Sequence, residues 1–277
     1  MRRFLTTLVL LSALLAIAGC LHDYSGISGI NPREYIITNN RPGLFERCRL
    51  ESADKLSCRH LAFKSSEFGF YDFEGLAWIN DHLFYAVIEK RNNRCLAGCS
   101  LEQKIIPLRI EDDTYVTQAA CGEMEIPLLK GDDPDCEFAN CGLEGVAYNP
   151  RLNLLYVVKE HSQKRIFTVP LDGKHCPAGN YGQIQVGDGL ANYSDIAYSQ
   201  ARNSIFLLSR VSRDFVEYSL DAGKIVLHAR DVPGMAEFFS ANDDAEGIFV
   251  LDDTSQIIVM GESRAFVLAD LPEAGRF

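Results

Sequence analysis

The sequence predicts an all-β fold, a five-bladed β-propeller, and three observations carry that prediction. An acid running into a short apolar strand recurs at Glu74, Glu144, Asp195 and Glu246. Each recurrence is followed by a polar turn and a second apolar strand, over residues 83–88, 154–158, 205–208 and 256–260. Between these strands there is no helical pattern of about 10 to 15 residues. Strand-rich repeats of about 40 to 50 residues are the signature of propeller blades, each of which buries its faces only against its neighbours.

The elements follow in order. A degenerate first copy opens with Ser28-Gly29-Ile30, turns at Asn31-Pro32-Arg33 and continues through 35–38 and 43–45. Full copies then begin at 74, 144, 195 and 246, so the steps from position 28 are 46, 70, 51 and 51 residues. The long step carries a cysteine-rich insertion over about 95–142. A third apolar stretch completes the later copies, at 165–171, 214–220 and 264–270. Five copies fill residues 20–277 as a single domain, with six blades as the competing count. A β-sandwich would also give many short strands, but it would not return the same acid-led start at each step.

The chain has 277 residues, 27 basic against 38 acidic, and a net charge of −11. A surface able to neutralise a run of phosphates is hard to build from that balance, so nucleic acid is excluded as a partner. The first 19 residues read as a secretory signal: Met1-Arg2-Arg3 is cationic, residues 4–18 are almost wholly apolar, and small residues precede Cys20. The ending Ile17-Ala18-Gly19-Cys20 resembles the bacterial lipoprotein lipobox. That resemblance implies lipidation, including a palmitate, on Cys20, with membrane contact through the lipid. Leu21, where an inner-membrane lipoprotein would carry aspartate, implies the outer membrane, facing the periplasm.

Eight cysteines remain: Cys48, Cys58, Cys95, Cys99, Cys121, Cys136, Cys141 and Cys176. An even number in an exported chain predicts disulfides, with Cys48–Cys58 as one pair and the other staples within 95–176. A zinc site is the alternative, because Cys95-x3-Cys99 and Cys136-x4-Cys141 have loosely ligand-like spacing.

The segments Glu-Gly-Leu-Ala at 74–77, Leu-Glu-Gly-Val-Ala-Tyr-Asn-Pro-Arg at 143–151, Leu-Tyr-Val-Val-Lys-Glu at 155–160 and Ala-Glu-Gly-Ile at 245–248 together resemble the SdiA-regulated family of bacterial propellers, distant relatives of NHL-repeat proteins. The resemblance spans residues 25–271 and implies five blades and a shared calcium site, without implying a particular activity. The cysteine-rich insertion and the glycine-less copy at Asp195-Ile196 depart from the family pattern.

A second acid follows the first at near-constant distance: Glu74 and Glu89, Glu144 and Glu160, Glu246 and Glu262, with Arg210 taking that place after Asp195. If each strand pair is a hairpin, the two acids of a copy face each other, which destabilises an antiparallel pair. At roughly 6 Å and an effective dielectric near 20, each such pair costs about 3 kcal/mol. Raised pKa values or a bound hard cation would relieve the repulsion, and an oxygen-only set suits Ca2+ better than zinc, with Glu74, Glu144, Asp195 and Glu246 as ligands and Glu89, Glu160 and Glu262 as further ligands or nearby charge. The alternative is neutralisation by Arg210, Lys90 and Arg94.

His161 is a candidate general base or a solvated loop residue, and Trp78, Tyr148, Tyr198 and Phe249 read as packing between blades. No nucleophile elbow, phosphate loop or dinucleotide fingerprint is present. The sequence thus predicts a calcium-binding interaction module of the cell envelope whose partner is an envelope protein or small ligand. A metal-dependent hydrolase or lyase acting on an ester, lactone or phosphoester is the alternative.

Overall fold

A computed structural model describes residues 24–39, 44–52, 55–64, 71–80, 82–91, 103–126, 142–160, 164–263 and 265–273. The signal segment, Cys20, Cys95, Cys99, Cys136, Cys141 and His161 lie outside the described residues, as do the side chains of Glu89 and Lys90.

The first unit contains β1 (Tyr24–Asn31), β2 (Glu34–Asn39), β3 (Leu44–Ser52) and β4 (Lys55–Phe63). The second contains β5 (Tyr71–Asn80), β6 (Leu83–Arg91), β7 (Lys104–Glu111), β8 (Tyr115–Gln118) and the short β9 (Met124–Glu125). A parallel pairing of β4 with β8 joins these two units into one nine-stranded sheet. Strands β7 to β9 fall inside the cysteine-rich stretch 95–142, so part of that stretch belongs to the sheet.

Three separate sheets follow. They are β10 (Leu143–Asn149), β11 (Leu154–Lys159), β12 (Arg165–Pro170) and β13 (Gly182–Ile184); then β14 (Asp195–Ser199), β15 (Ser204–Ser209), β16 (Asp214–Ser219) and β17 (Lys224–His228); then β18 (Ala245–Leu251), β19 (Gln256–Gly261) and β20 (Phe266–Asp270). All three are antiparallel meanders.

The strands that begin each unit touch in a closed cycle, β1 to β5 to β10 to β14 to β18 and back to β1. Five apolar clusters fill the spaces between successive units around that cycle, the last of them joining Tyr24, Ile27 and Tyr35 to Leu251, Ile258 and Met260. The second strands are buried on both faces, which is why they read as unbroken apolar runs and not as alternating ones. In β15, Ile205 and Leu207 face one cluster while Phe206 and Leu208 face the next.

One helix was not expected. Helix α1 (Met235–Ala241) lies between β17 and β18, and Met235, Phe238 and Phe239 pack into the cluster shared by the last two sheets. At two turns it is too short to show a helical period in the sequence.

Candidate functional site

The acids that lead each repeat sit at the start of the inner strands. Glu74, Glu144, Asp195 and Glu246 are all buried there, Asp195 to 1% exposure. The local backbone differs from the simple hairpin expected from their spacing. Leu143 pairs with Lys159 and Gly145 with Val158, which leaves Glu144 as the extra residue of a β-bulge. Glu246 occupies the same kind of bulge between Ala245 and Gly247, and the register of β5 shifts between Phe73 and Leu76, around Glu74. The expected face-to-face pairs are therefore corrected: Glu160 donates its N–H to the Gly142 carbonyl, and Glu262 donates to Asp244. In these three copies one inserted residue moves the leading glutamate off the ladder and re-aims it, as bulges do, whereas Asp195 stays in register opposite Leu208.

The glycine after the acid answers a separate demand, the close approach of neighbouring inner strands. A Cβ on Gly75 would lie 2.5 Å from the Gly145 Cα, and one on Gly145 would lie 2.5 Å from Asp195 Oδ1. Asp195 replaces this glycine in its own copy and uses its carboxylate as a clamp. Its Oδ1 accepts from the Ile196 N–H at 2.8 Å and its Oδ2 from the Ile248 N–H of the next inner strand at 2.9 Å. Burial pushes the Asp195 carboxyl well above the usual carboxylate range, against the pull of those two N–H groups.

Arg210 stands at the centre of the charge. Its guanidinium meets Glu246, reaches Glu262 Oε1 at 3.1 Å and approaches Glu160 Oε1 at 3.8 Å. Burial works against its positive charge, but Glu246, Glu160, Glu262 and Glu144 together hold it firmly protonated. Glu246 is pushed up to about 8 because burial outweighs the attraction of Arg210, with Glu262 and Glu160 adding repulsion. The structure thus brings Glu144, Glu160, Glu246 and Glu262 into one electrostatic cluster around Arg210, with Asp195 beside Glu246. Glu74 holds the matching buried position on β5.

A set of polar residues that sequence reasoning missed supports this cluster. Asn192, fully buried, donates to Glu160 Oε1 at 3.2 Å and accepts from Ser209 Oγ at 2.6 Å and the Val211 N–H at 3.2 Å. Ser194 Oγ accepts the Arg210 N–H at 3.0 Å. The signal for this network was the single Ser-Asp start of that copy, which is too common a dipeptide to stand out.

Cys48 and Cys58 face each other across β3 and β4 and are bonded, as are Cys121 and Cys176. Among the described residues, one trio of potential metal ligands lies within 4.8 Å, Glu46 with Cys48 and Cys58, and its two sulfurs are joined to each other.

Repeated antiparallel units around a closed cycle of inner strands define a β-propeller. The sequence matches the SdiA-regulated family over residues 64–269, and the chain belongs to that family. Among solved structures it is similar to a glutaminyl cyclase from Myxococcus xanthus at 14% identity, with a TM-score of 0.53 over 91% of this chain and 92% of that one. It is also similar to a glucose dehydrogenase at 10% identity, with a TM-score of 0.50 over 92% of this chain and 97% of that one. At these identities the likeness is one of fold.

Proposed function

We propose that this protein is a five-bladed, calcium-binding propeller that acts as an interaction module in the cell envelope, held at the outer membrane by a lipid on Cys20 and facing the periplasm. Its partner on this reading is an envelope protein or small ligand. The observation that carries the calcium reading is the clustering of Glu144, Glu160, Glu246 and Glu262 about a single guanidinium at the starts of the inner strands. Glu74 and Glu89 would complete the ring, and Asp195 would hold adjacent strands in register. The donors are carboxylate oxygens with neither thiol nor imidazole among them, a hard and flexible set that suits calcium better than zinc. Arg210 carries part of the compensation, so the cation and the guanidinium would divide the charge.

A chelator should lower the melting temperature, and calcium should restore it better than magnesium. If calcium binds the folded state alone, saturation at a hundredfold its dissociation constant adds about 2.7 kcal/mol. Because Glu246 keeps its proton to about pH 8, proton and cation compete, and the response should be larger above that pH than near neutrality. Glu144→Gln should weaken the response, whereas Glu125→Gln, on an exposed position of β9, should leave it intact. A melting temperature indifferent to chelator and calcium, with both variants alike, would overturn the reading.

One observation favours a catalytic reading: a carboxyl that titrates near 8 beside a fixed guanidinium can move a proton next to a charge-stabilising group. Such a site suits the metal-dependent hydrolase or lyase alternative, acting on an ester, lactone or phosphoester. Turnover lost in Glu246→Gln with the melting temperature preserved would favour catalysis over simple binding.

A further inference from the structure

The opposite end of the inner strands holds a second feature. Four residues along β10 from Glu144, a strand rise of about 13 Å, a cavity of about 320 Å³ opens with aromatic walls. Trp78, Tyr148 and Tyr198 occupy the same register position of β5, β10 and β14. Phe249 comes from β18 one position earlier, the level of Ala77, Ala147 and Ala197. All four are partly exposed, so packing between blades accounts for only one side of each ring. Strand β1 contributes Gly29 here, where a Cβ would lie 2.3 Å from the Phe249 ring, and the missing side chain is what seats that phenyl group.

The rings are fixed in advance. The Tyr148 hydroxyl donates to Asn153 Oδ1 at 2.9 Å and the Tyr198 hydroxyl to Asn203 Oδ1 at 3.0 Å. Both asparagines sit in hairpin turns with left-handed backbones, at φ 50° and 46°. The charge of the wall is one-sided: Asp252 and Asp253 line it, and among the described residues none that lines it is lysine, arginine or histidine. Asp252 is held in place by hydrogen bonds from Ser199 Oγ and from the N–H groups of Gln200 and Ala201. Arg151 influences Tyr198 electrostatically but is not part of the wall. The whole chain adds a net charge of −11.

We propose that this cavity binds a small organic cation, an alkylated ammonium seated against the Trp78, Tyr148, Tyr198 and Phe249 rings with Asp252 and Asp253 supplying the counter-charge. Fixed aromatic faces attract such a cation through their quadrupoles, and desolvation within a concave wall strengthens the attraction. Pre-set rings lower the ordering cost of binding. This site is independent of the calcium reading, which concerns the other end of the strands.

Trp78 is the chain's single tryptophan, so its fluorescence reports on this cavity alone. The full chain is titrated at constant ionic strength with choline and with 3,3-dimethylbutan-1-ol, a neutral compound of the same shape. Choline should produce a saturable change, with the alcohol about tenfold weaker. Asp253→Asn, at an exposed rim position, should weaken choline binding about threefold, and Tyr198→Leu should weaken it more. Glu246→Gln should leave choline binding unchanged, so the two ends fail or succeed separately. If Tyr198→Leu loses its fold by circular dichroism, Asp253→Asn alone decides. Equal binding of alcohol and choline, an unaltered Asp253→Asn titration, or silence of both fluorescence and calorimetry towards choline would overturn the proposal.

Discussion

At the acid end, the inner strands are bulged at Glu144 and Glu246, crowded backbone against backbone, and loaded with buried charge. At the other end, β10, β14 and β18 run in unbroken register into hairpin turns while β1 and β5 shift once more, and half-exposed rings stand around an open space. The difference lies in what each end asks of the chain. Close approach demands glycine and tolerates no added atom, whereas the cavity demands rings held at their edges. A bulge lets both demands coexist on one strand, because it resets the register between the acid and the apolar run.

The largest break in this contrast should come from Gly145→Ala. The new Cβ would fall within 2.7 Å of the Asp195 Cα and the Ile196 N, both backbone atoms that cannot step aside alone. A loss of about 3 kcal/mol or more is expected in urea unfolding. Gly187→Ala, whose Cβ meets nothing within 4 Å, serves as the reference and should be near neutral. Equal effects of the two substitutions would show that crowding at the acid end is not a constraint.

The next effect concerns charge. Folded Glu246 holds its proton to about pH 8, while an unfolded glutamate releases it near 4.5. Between those values the folded state binds more protons, so stability is fully present at the acid side and is lost as pH rises toward 8. In chelator, wild type should lose about 2 to 4 kcal/mol across that window, the shift being discounted for relaxation around a buried group. Glu246→Gln cannot ionise and should flatten the slope, an outcome read from chemical unfolding at a series of pH values. A slope unchanged in the variant would assign it to other groups, Asp195 first.

A smaller and more local effect should sharpen the contrast from the aromatic side. The Cys121–Cys176 bond adjoins His175, whose carbonyl accepts the Tyr85 hydroxyl and whose Nδ1 lies 3.4 Å from the Tyr148 hydroxyl. Replacing both cysteines with serine should cost about 2 to 3 kcal/mol. The pH slope set by Glu246 should survive, because no charge at the acid end is touched. A changed slope would mean that the two ends are coupled through the strands.

Much of this architecture was legible in the chain. Strand pairs announced themselves because the second strand of each unit, such as 205–208, is buried on both faces and must be apolar throughout. The Cys48–Cys58 pair expected from the even cysteine count of an exported chain is present across β3 and β4. The acid spacing revealed that charges converge, but not how, since a bulge at Glu144 costs one residue and leaves no compositional mark. Phe249 stands one position earlier on its strand than Trp78, Tyr148 and Tyr198, a step that its aromatic character alone does not reveal. The role of Asp195 as an inter-strand clamp depends on where the Ile248 N–H points, which is a tertiary fact.

The Tyr24 N–H donates to the Glu262 carbonyl at 3.3 Å, so the described chain begins beside the acid end. Cys20 is four residues earlier, a reach of at most about 14 Å even if fully stretched. If a lipid on Cys20 holds the chain, as proposed, the short tether would turn the carboxylates toward that surface, like a lamp hung by its base. The aromatic opening would then look outward, to anything that diffuses past.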